Sequence, residues 1–268
     1  MENKHHFLSV IVPIYKQEKT IKKDLNNIDQ VLKQIRYQYE IIAVVDGKNI
    51  DNSYKIAQKI KLPNLKVYGY KNNHGKGYAV RFGMAKTKGD YIAFIDAGME
   101  IDPNGISMIL EHMEWYNADI VVGSKQHPAS QINYPLDRKI ISFGGHLIAR
   151  YLLGINIRDT QAGLKIFKRK VLIKVLPRLL IKNYAFDLEI LSVANYLGFK
   201  NIYEAPIKLN YDFSSLTHAS GLKIIIQSLI DALAVFYRLR ILHYYDNKNK
   251  RKWVFDPDLK MRINTGKL

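Results

Sequence analysis

The first half of the chain alternates two hydrophobic rhythms. Short apolar runs rich in Val, Ile and Tyr occur at 7–15 (FLSVIVPIY), 39–47 (YEIIAVVDG), 65–70 (LKVYGY), 91–97 (YIAFIDA) and 118–124 (ADIVVGS). Each has the length and residue types of a buried strand. Between them the spacing lengthens to three and four. Ile21, Leu25, Ile28, Val31, Leu32 and Ile35 predict a helix over 20–35. Shorter helices are predicted over 52–60 and 77–86. Another is predicted over 103–115, with Pro103 in its first turn. Continuous apolar strands alternating with helices imply an α/β fold with a mostly parallel central sheet flanked by helices.

The second half predicts a helix over 137–153, a strand over 161–167, a helix over 186–197 and a strand over 201–209. A long apolar helix is predicted over 222–242. Lys223, Gln227, Asp231 and Arg238 fall near one stripe of it, and Lys248, Lys250, Arg251 and Lys252 follow. Such a helix with a basic tail suits an anionic membrane surface. It equally suits packing on the protein's own sheet.

The chain has 268 residues, enough for one large α/β domain or two small ones. It contains no cysteine, which excludes disulfides and thiolate metal sites. The MENKHHF start lacks an apolar core, so no secretory leader is expected. No run is long and apolar enough to predict a spanning helix. The formal net charge is +17, with Lys spread along the whole length. A solvated surface and an anionic partner both stay open. No aromatic RNA-binding pattern or helix-turn-helix signature is present, so nucleic acid is not expected as a partner.

Ligands of parallel sheets bind beyond the carboxyl ends of the strands. The acidic end of the fourth strand, Asp96-Ala97-Gly98-Met99-Glu100, is therefore a candidate site. One or two carboxylates suffice for Mg²⁺ when waters and phosphates complete the shell. Gly98 lets the chain turn there. Asn72 to Gly77 (NNHGKG) flanks Lys76 with glycines before a helix, a loop able to present backbone N–H groups and a cation to phosphate. Its spacing is not that of a Walker A loop.

Taken in order, the segments V-P-I-Y, V-V-D-G, N-H-G-K-G, F-I-D-A-G-M-E, G-S-K, D-T-Q-A-G-L-K-I-F-K-R and F-D-L-E-I are far more specific than any one of them. Over 8–216 the sequence resembles glycosyltransferase family 2. Within it, the sequence resembles the dolichol-phosphate mannose synthase, or polyprenyl-phosphate glycosyltransferase, branch.

The resemblance implies the GT-A nucleotide-sugar fold over 1–216. The nucleotide half would be about 7–125 and the acceptor half about 126–216, followed by the helix and basic tail over 217–268. It implies that Pro13, Tyr15, Asp46, Lys76, Asp96 and Ala97 meet the nucleotide-sugar. Asp96 and Glu100 would hold Mg²⁺ or Mn²⁺. Lys125, Arg138 and Lys165 would hold the acceptor phosphate, with Arg138 and Asp187 beside the reacting atoms. Asp159 and Gly163 belong to the segment ending at Lys165, and Glu189 pairs with Asp187 at the sugar site.

The implied reaction is inverting transfer of a hexose from a GDP- or UDP-sugar to polyprenyl or dolichyl phosphate. It would take place at the cytoplasmic face of a membrane, with a separate membrane-protein partner left open. A hydroxyl acceptor, with Asp187 as base, and a binding protein without catalysis are the alternatives. Three segments depart from the family pattern. Lys16 and Gln17 replace Asn and Glu after Tyr15, the segment after Val45 lacks one Asp, and Gly98 stands where a second Asp is usual.

Overall fold

Each of the five apolar runs of the first half forms a strand. They are β1 (Phe7–Ile14), β2 (Gln38–Asp46), β3 (Leu65–Tyr70), β4 (Tyr91–Ile95) and β5 (Ile120–Ser124). The computed structural model describes residues 6–98, 101–130, 150–182, 185–209, 229–249 and 252–264. Two further strands, β6 (Leu164–Lys168) and β7 (Ile202–Pro206), complete a seven-stranded sheet in the order β3-β2-β1-β4-β6-β5-β7. β6 runs antiparallel to both β4 and β5. The pairings β1–β2, β2–β3, β1–β4 and β5–β7 are parallel.

Alternation along β1 builds two cores. Leu8, Val10, Val12 and Ile14 point to one face, where α1 (Ile21–Leu32) seats Ile21, Leu25, Ile28 and Leu32. Ile11 points to the other, where α3 (Lys76–Lys86) brings Ala79, Val80 and Met84. Burial of each such aliphatic side chain contributes roughly 1.5–3 kcal/mol. Gly83 lets α3 lie directly on the sheet, since a Cβ there would come 2.5 Å from Ile11 Cγ2. The helices α2 (Ser53–Gln58) and α4 (Gly105–Trp115) follow β2 and β4. α5 (Arg169–Val175) continues β6 directly, runs into a 3₁₀ turn at Leu176–Arg178 and precedes α6 (Phe186–Tyr196).

The expected helix over 137–153 is described only from residue 150, where a helical turn ends at Gly154. The helix expected over 222–242 is described from 229 and ends in a π-helical turn, Tyr237–Ile241. Ala232, Val235 and Leu239 join the core shared by α3 and α6. The opposite side leaves Leu229, Ile230, Leu233, Tyr237 and Ile241 between 39% and 59% exposed. The helix is thus apolar on two faces, packed on one and open on the other. A closing antiparallel pair, β8 (Trp253–Asp256) and β9 (Met261–Asn264), was not legible in the sequence.

Candidate active site

The sheet order reverses at β1 and β4, so their carboxyl ends open a crevice between the helices that leave on either side. The antiparallel β6 starts at the same end. Its register sets Leu164 beside Ile95 and Lys165 beside Phe94. The D-x-x-x-G-x-K segment is thereby delivered to the acidic end of β4. Asp96 N donates to Gly163 O at 3.0 Å, and a Cβ at Gly163 would overlap the Asp96 carboxylate. Gly163 is needed for that close approach.

Four charged side chains meet here. Lys76, at the start of α3, donates to Asp96 Oδ2 at 2.9 Å and to Asp187 Oδ2 at 3.3 Å. Lys165 donates to Asp187 Oδ1 at 2.8 Å and to the Ala162 carbonyl at 2.5 Å. Asp187, in the first turn of α6, is 2% exposed and Lys165 is 0% exposed. Burial alone would raise the Asp187 carboxyl, but the Lys165 and Lys76 ammonium groups override it and hold it below its ordinary value. Burial opposes the charge on Lys76, yet Asp187 and Asp96 outweigh it and raise its pKa. Burial pulls Lys165 down against the attraction of Asp187. The result is a charged alternating chain, Asp96–Lys76–Asp187–Lys165, with only its Asp96 end partly open to solvent.

The loops around this chain are tied by buried carboxylates. Asp46 accepts from His74 N at 2.7 Å and Gly75 N at 2.8 Å, fixing the turn that presents Lys76. Gly75 has φ +91°, which suits glycine. Asp24 of α1 accepts from Gly98 N at 3.0 Å and from Thr20 Oγ1 at 2.9 Å. Burial raises the Asp24 carboxyl against both bonds. Asp159 accepts from Lys125 N at 3.0 Å, while the Lys125 ammonium lies 3.9 Å from it. Glu204 on β7 accepts from Asp159 N and Arg158 N. Asp24 and Glu204 had no motif to mark them, because their role is to hold backbone from a distant element.

The other expected residues sort by position. Pro13 is the penultimate residue of β1, and Tyr15 is exposed just beyond the strand. Lys16, where the resemblance expects Asn, has φ +54°, a conformation Asn tolerates better. Ala97 packs half-buried against the α1-side core. Lys165 lies behind Asp187, so it could reach an acceptor phosphate only if Asp187 moved. Glu189 does not join Asp187. Two positions apart on a helix point to opposite sides, and Glu189 instead accepts from Leu180 N, Ile181 N and Tyr245 Oη. Glu100 and Arg138 lie outside the described residues.

Asp96 has the features of a metal ligand. Its Oδ1 is buried without a hydrogen-bond partner, while Oδ2 takes Lys76. A buried unsatisfied carboxylate oxygen is costly unless something completes it, and a hard divalent cation takes such an oxygen. Among the described residues no group of three or more carboxylates or imidazoles forms a metal cage. A cation here would rely on one or two carboxylates and on ligand phosphates. Gly98, at φ +104°, adopts backbone that L side chains rarely take, so the second Asp of the family pattern does not fit this turn as it stands.

The model of glycosyl transferase family 2 matches residues 9–176. A dolichyl-phosphate beta-glucosyltransferase of Dictyostelium discoideum is 31% identical over 76% of this chain and 66% of its own length. The human dolichyl-phosphate beta-glucosyltransferase is 30% identical over 70% of this chain and 63% of its own. This chain thus spans just under two thirds of those relatives. A UDP-N-acetylglucosamine–dolichyl-phosphate N-acetylglucosaminyltransferase of Methanococcus voltae is 30% identical over 87% of this chain and 94% of its own. Among solved structures, the Mycobacterium tuberculosis glucosyl-3-phosphoglycerate synthase bound to UDP has a TM-score of 0.64 at 16% identity. It covers 86% of this chain and 80% of that one. The same enzyme solved with Mn²⁺, UDP and its product has a TM-score of 0.63 at 18% identity, covering 97% and 87%. These likenesses assign the GT-A fold.

Proposed function

The chain belongs to glycosyltransferase family 2, and from that premise we propose that it moves a hexose from a UDP-sugar to a dolichyl or polyprenyl phosphate with inversion. The observation that carries this reading is the engagement of Asp46, Asp159, Asp96 and Asp187 at the sheet's carboxyl end, with Asp96 Oδ1 left for a cation. Asp46 and Asp159 are bonded to backbone amides, Asp96 to Lys76, and Asp187 to two lysines. A carboxylate that is buried, doubly ion-paired and held at low pKa is a poor general base. A hydroxyl acceptor needs a base, whereas a phosphate monoester is already anionic near neutral pH. Phosphate therefore needs only to be placed.

In this reading Lys76 stabilises charge growing on the departing diphosphate, and Asp187 keeps that ammonium charged and aimed. Lys165 holds Asp187 from behind. Lys125, with Arg138, would bind the acceptor phosphate by charge-assisted hydrogen bonds. Tyr15 and the turn held by Asp46 would border the nucleotide. Asp96, with Glu100, would hold a divalent cation, Mg²⁺ or Mn²⁺, which when bound supplies charge stabilisation at the diphosphate. Among the described residues, Asp187 could act as a nucleophile only by breaking its ion pairs with Lys76 and Lys165. That favours single displacement and hence inversion.

The acceptor's apolar tail calls for a membrane surface. No helix among the described residues is long and apolar enough to cross a membrane. The open apolar row of the 229–241 helix, with Arg240 exposed beside it, would rest on an anionic leaflet such as the cytoplasmic one. A separate membrane-protein partner is not needed for that contact.

Incubation with Mn²⁺, polyprenyl phosphate and a panel of labelled UDP- and GDP-sugars, followed by lipid extraction, tests the assignment. Organic-phase label from a UDP-hexose that depends on metal and lipid phosphate is expected. Label from GDP-mannose alone would overturn the donor, and no label from any donor would overturn the reaction.

A further inference from the structure

Glu189 is 0% exposed and is not used by the reaction described above. It accepts from Leu180 N at 3.0 Å, Ile181 N at 2.9 Å and Tyr245 Oη at 2.8 Å. Two guanidinium groups with unpartnered buried nitrogens, Arg81 of α3 and Arg238 of the C-terminal helix, are attracted to it. A buried carboxylate so completely enclosed is costly to assemble, and its location suggests what it does.

The segment it grips abuts the catalytic lysine's helix. The Lys182 carbonyl accepts from Tyr78 N at 3.3 Å in the first turn of α3. A Cβ on Gly77 would stand 2.6 Å from Phe186 Cβ and 2.9 Å from Lys182 O. No slack exists between 182, 186 and the turn that carries Lys76. Glu189 shares its helix turn with Asp187, so one carboxylate faces the reaction and the other holds the backbone that spaces Lys76 from it.

We propose that Glu189 is a positioning residue, which sets the Lys76–Asp187 geometry through segment 180–182, and that Tyr245 of the C-terminal segment completes its socket. This rests on the reading of Lys76 as the group that meets the departing diphosphate. Tyr245 is itself fixed, since Arg178 Nε donates to its carbonyl at 2.9 Å and Tyr196 Oη donates to the adjacent Asp246 at 2.7 Å. The residues beyond the family-model match thereby become part of the support of the active site.

The test compares Y245F and E189Q with the parent full-length protein. Y245F removes one hydrogen bond from a protein expected to stay folded, and so keeps the question answerable if E189Q does not fold. The readouts are UDP affinity by calorimetry, kcat and donor KM, and the NMR signal of Lys76 in protein carrying ¹³C at lysine Cε, assigned with K76R. In Y245F we expect amide dispersion and UDP affinity to be retained, the Lys76 signal to move, and kcat to fall about tenfold at unchanged KM. An unmoved Lys76 signal, with turnover per folded molecule retained and only the melting temperature lowered, would make Glu189 a purely structural group and overturn the proposal. If the parent transfers no hexose to lipid phosphate, the acceptor assignment fails instead, and the Lys76 signal still decides this proposal.

Discussion

Asp187 accepts from two lysines, and that governs what its substitution does. Asparagine keeps the shape but leaves Lys165 and Lys76 without their shared anion. Breaking a buried pair in this way is expected to cost on the order of 3–5 kcal/mol in urea unfolding. The penalty has a definite pH window. Asp187 is held below its ordinary 3.8, so its contribution is full above that value and fades as pH falls through the lowered folded one. Lys76 is held above its ordinary 10.5, so its contribution is full below 10.5 and fades as pH rises through the raised folded one. The stability difference between parent and D187N should therefore shrink as pH falls below about 4, where Asp187 takes up its proton. A difference that grew towards acid would contradict the ion-paired assignment. It also follows that D187N cannot separate a phosphate from a hydroxyl acceptor, because both reactions lose the support of Lys76.

Gly98 is the second residue whose behaviour is specific. The sequence presents it as a missing carboxylate. The backbone presents it as a turn at φ +104° whose N–H is held by Asp24. G98A has room for its methyl but not for its φ, and should lose roughly 1–3 kcal/mol in the same unfolding assay. Equal stability would mean the turn is free to flip, and an Asp at 98 would then be worth testing for metal affinity. Asp96, Lys76 and Asp187 were legible as neighbours, because motif order names them together and the structure brings them into contact. Asp24, Glu204 and the true partner set of Glu189 were not, since each acts on backbone that is remote in sequence.

At the scale of elements, the strands of the first half were legible because both faces of the sheet are covered and their apolar runs are unbroken. β6 was legible as a strand but not as antiparallel, a property set by where the chain re-enters the sheet. The β8–β9 pair was missed because its inward residues are few and mixed with charge. The 229–241 helix shows the limit of reading polarity from spacing. Asp231 and Arg238 suggest a polar outer stripe, yet both are half-buried and the outer row is apolar. If that row contacts lipid, L233E together with I241E should abolish flotation with anionic vesicles. Unfolding free energy should stay within about 0.5 kcal/mol, because the side chains are on the surface. Undiminished flotation would move the contact elsewhere on the molecule.

At the scale of the whole molecule, topology does the assembling. The reversal of strand order at β1 and β4 opens the crevice, and the antiparallel β6 carries Gly163 and Lys165 into it. The first turns of α3 and α6 then supply Lys76 and Asp187 from opposite sides of one core. The account's central claim is that this site takes an acceptor that is already an anion, with Asp187, ion-paired to two lysines, not serving as a base. The most direct measurement offers UDP-[¹⁴C]hexose, with Mn²⁺, to polyprenyl phosphate and, separately, to the polyprenol of the same chain length. Label confined to the phosphate acceptor is the predicted result. Comparable transfer to the alcohol would show that a base operates at this site and would contradict the account.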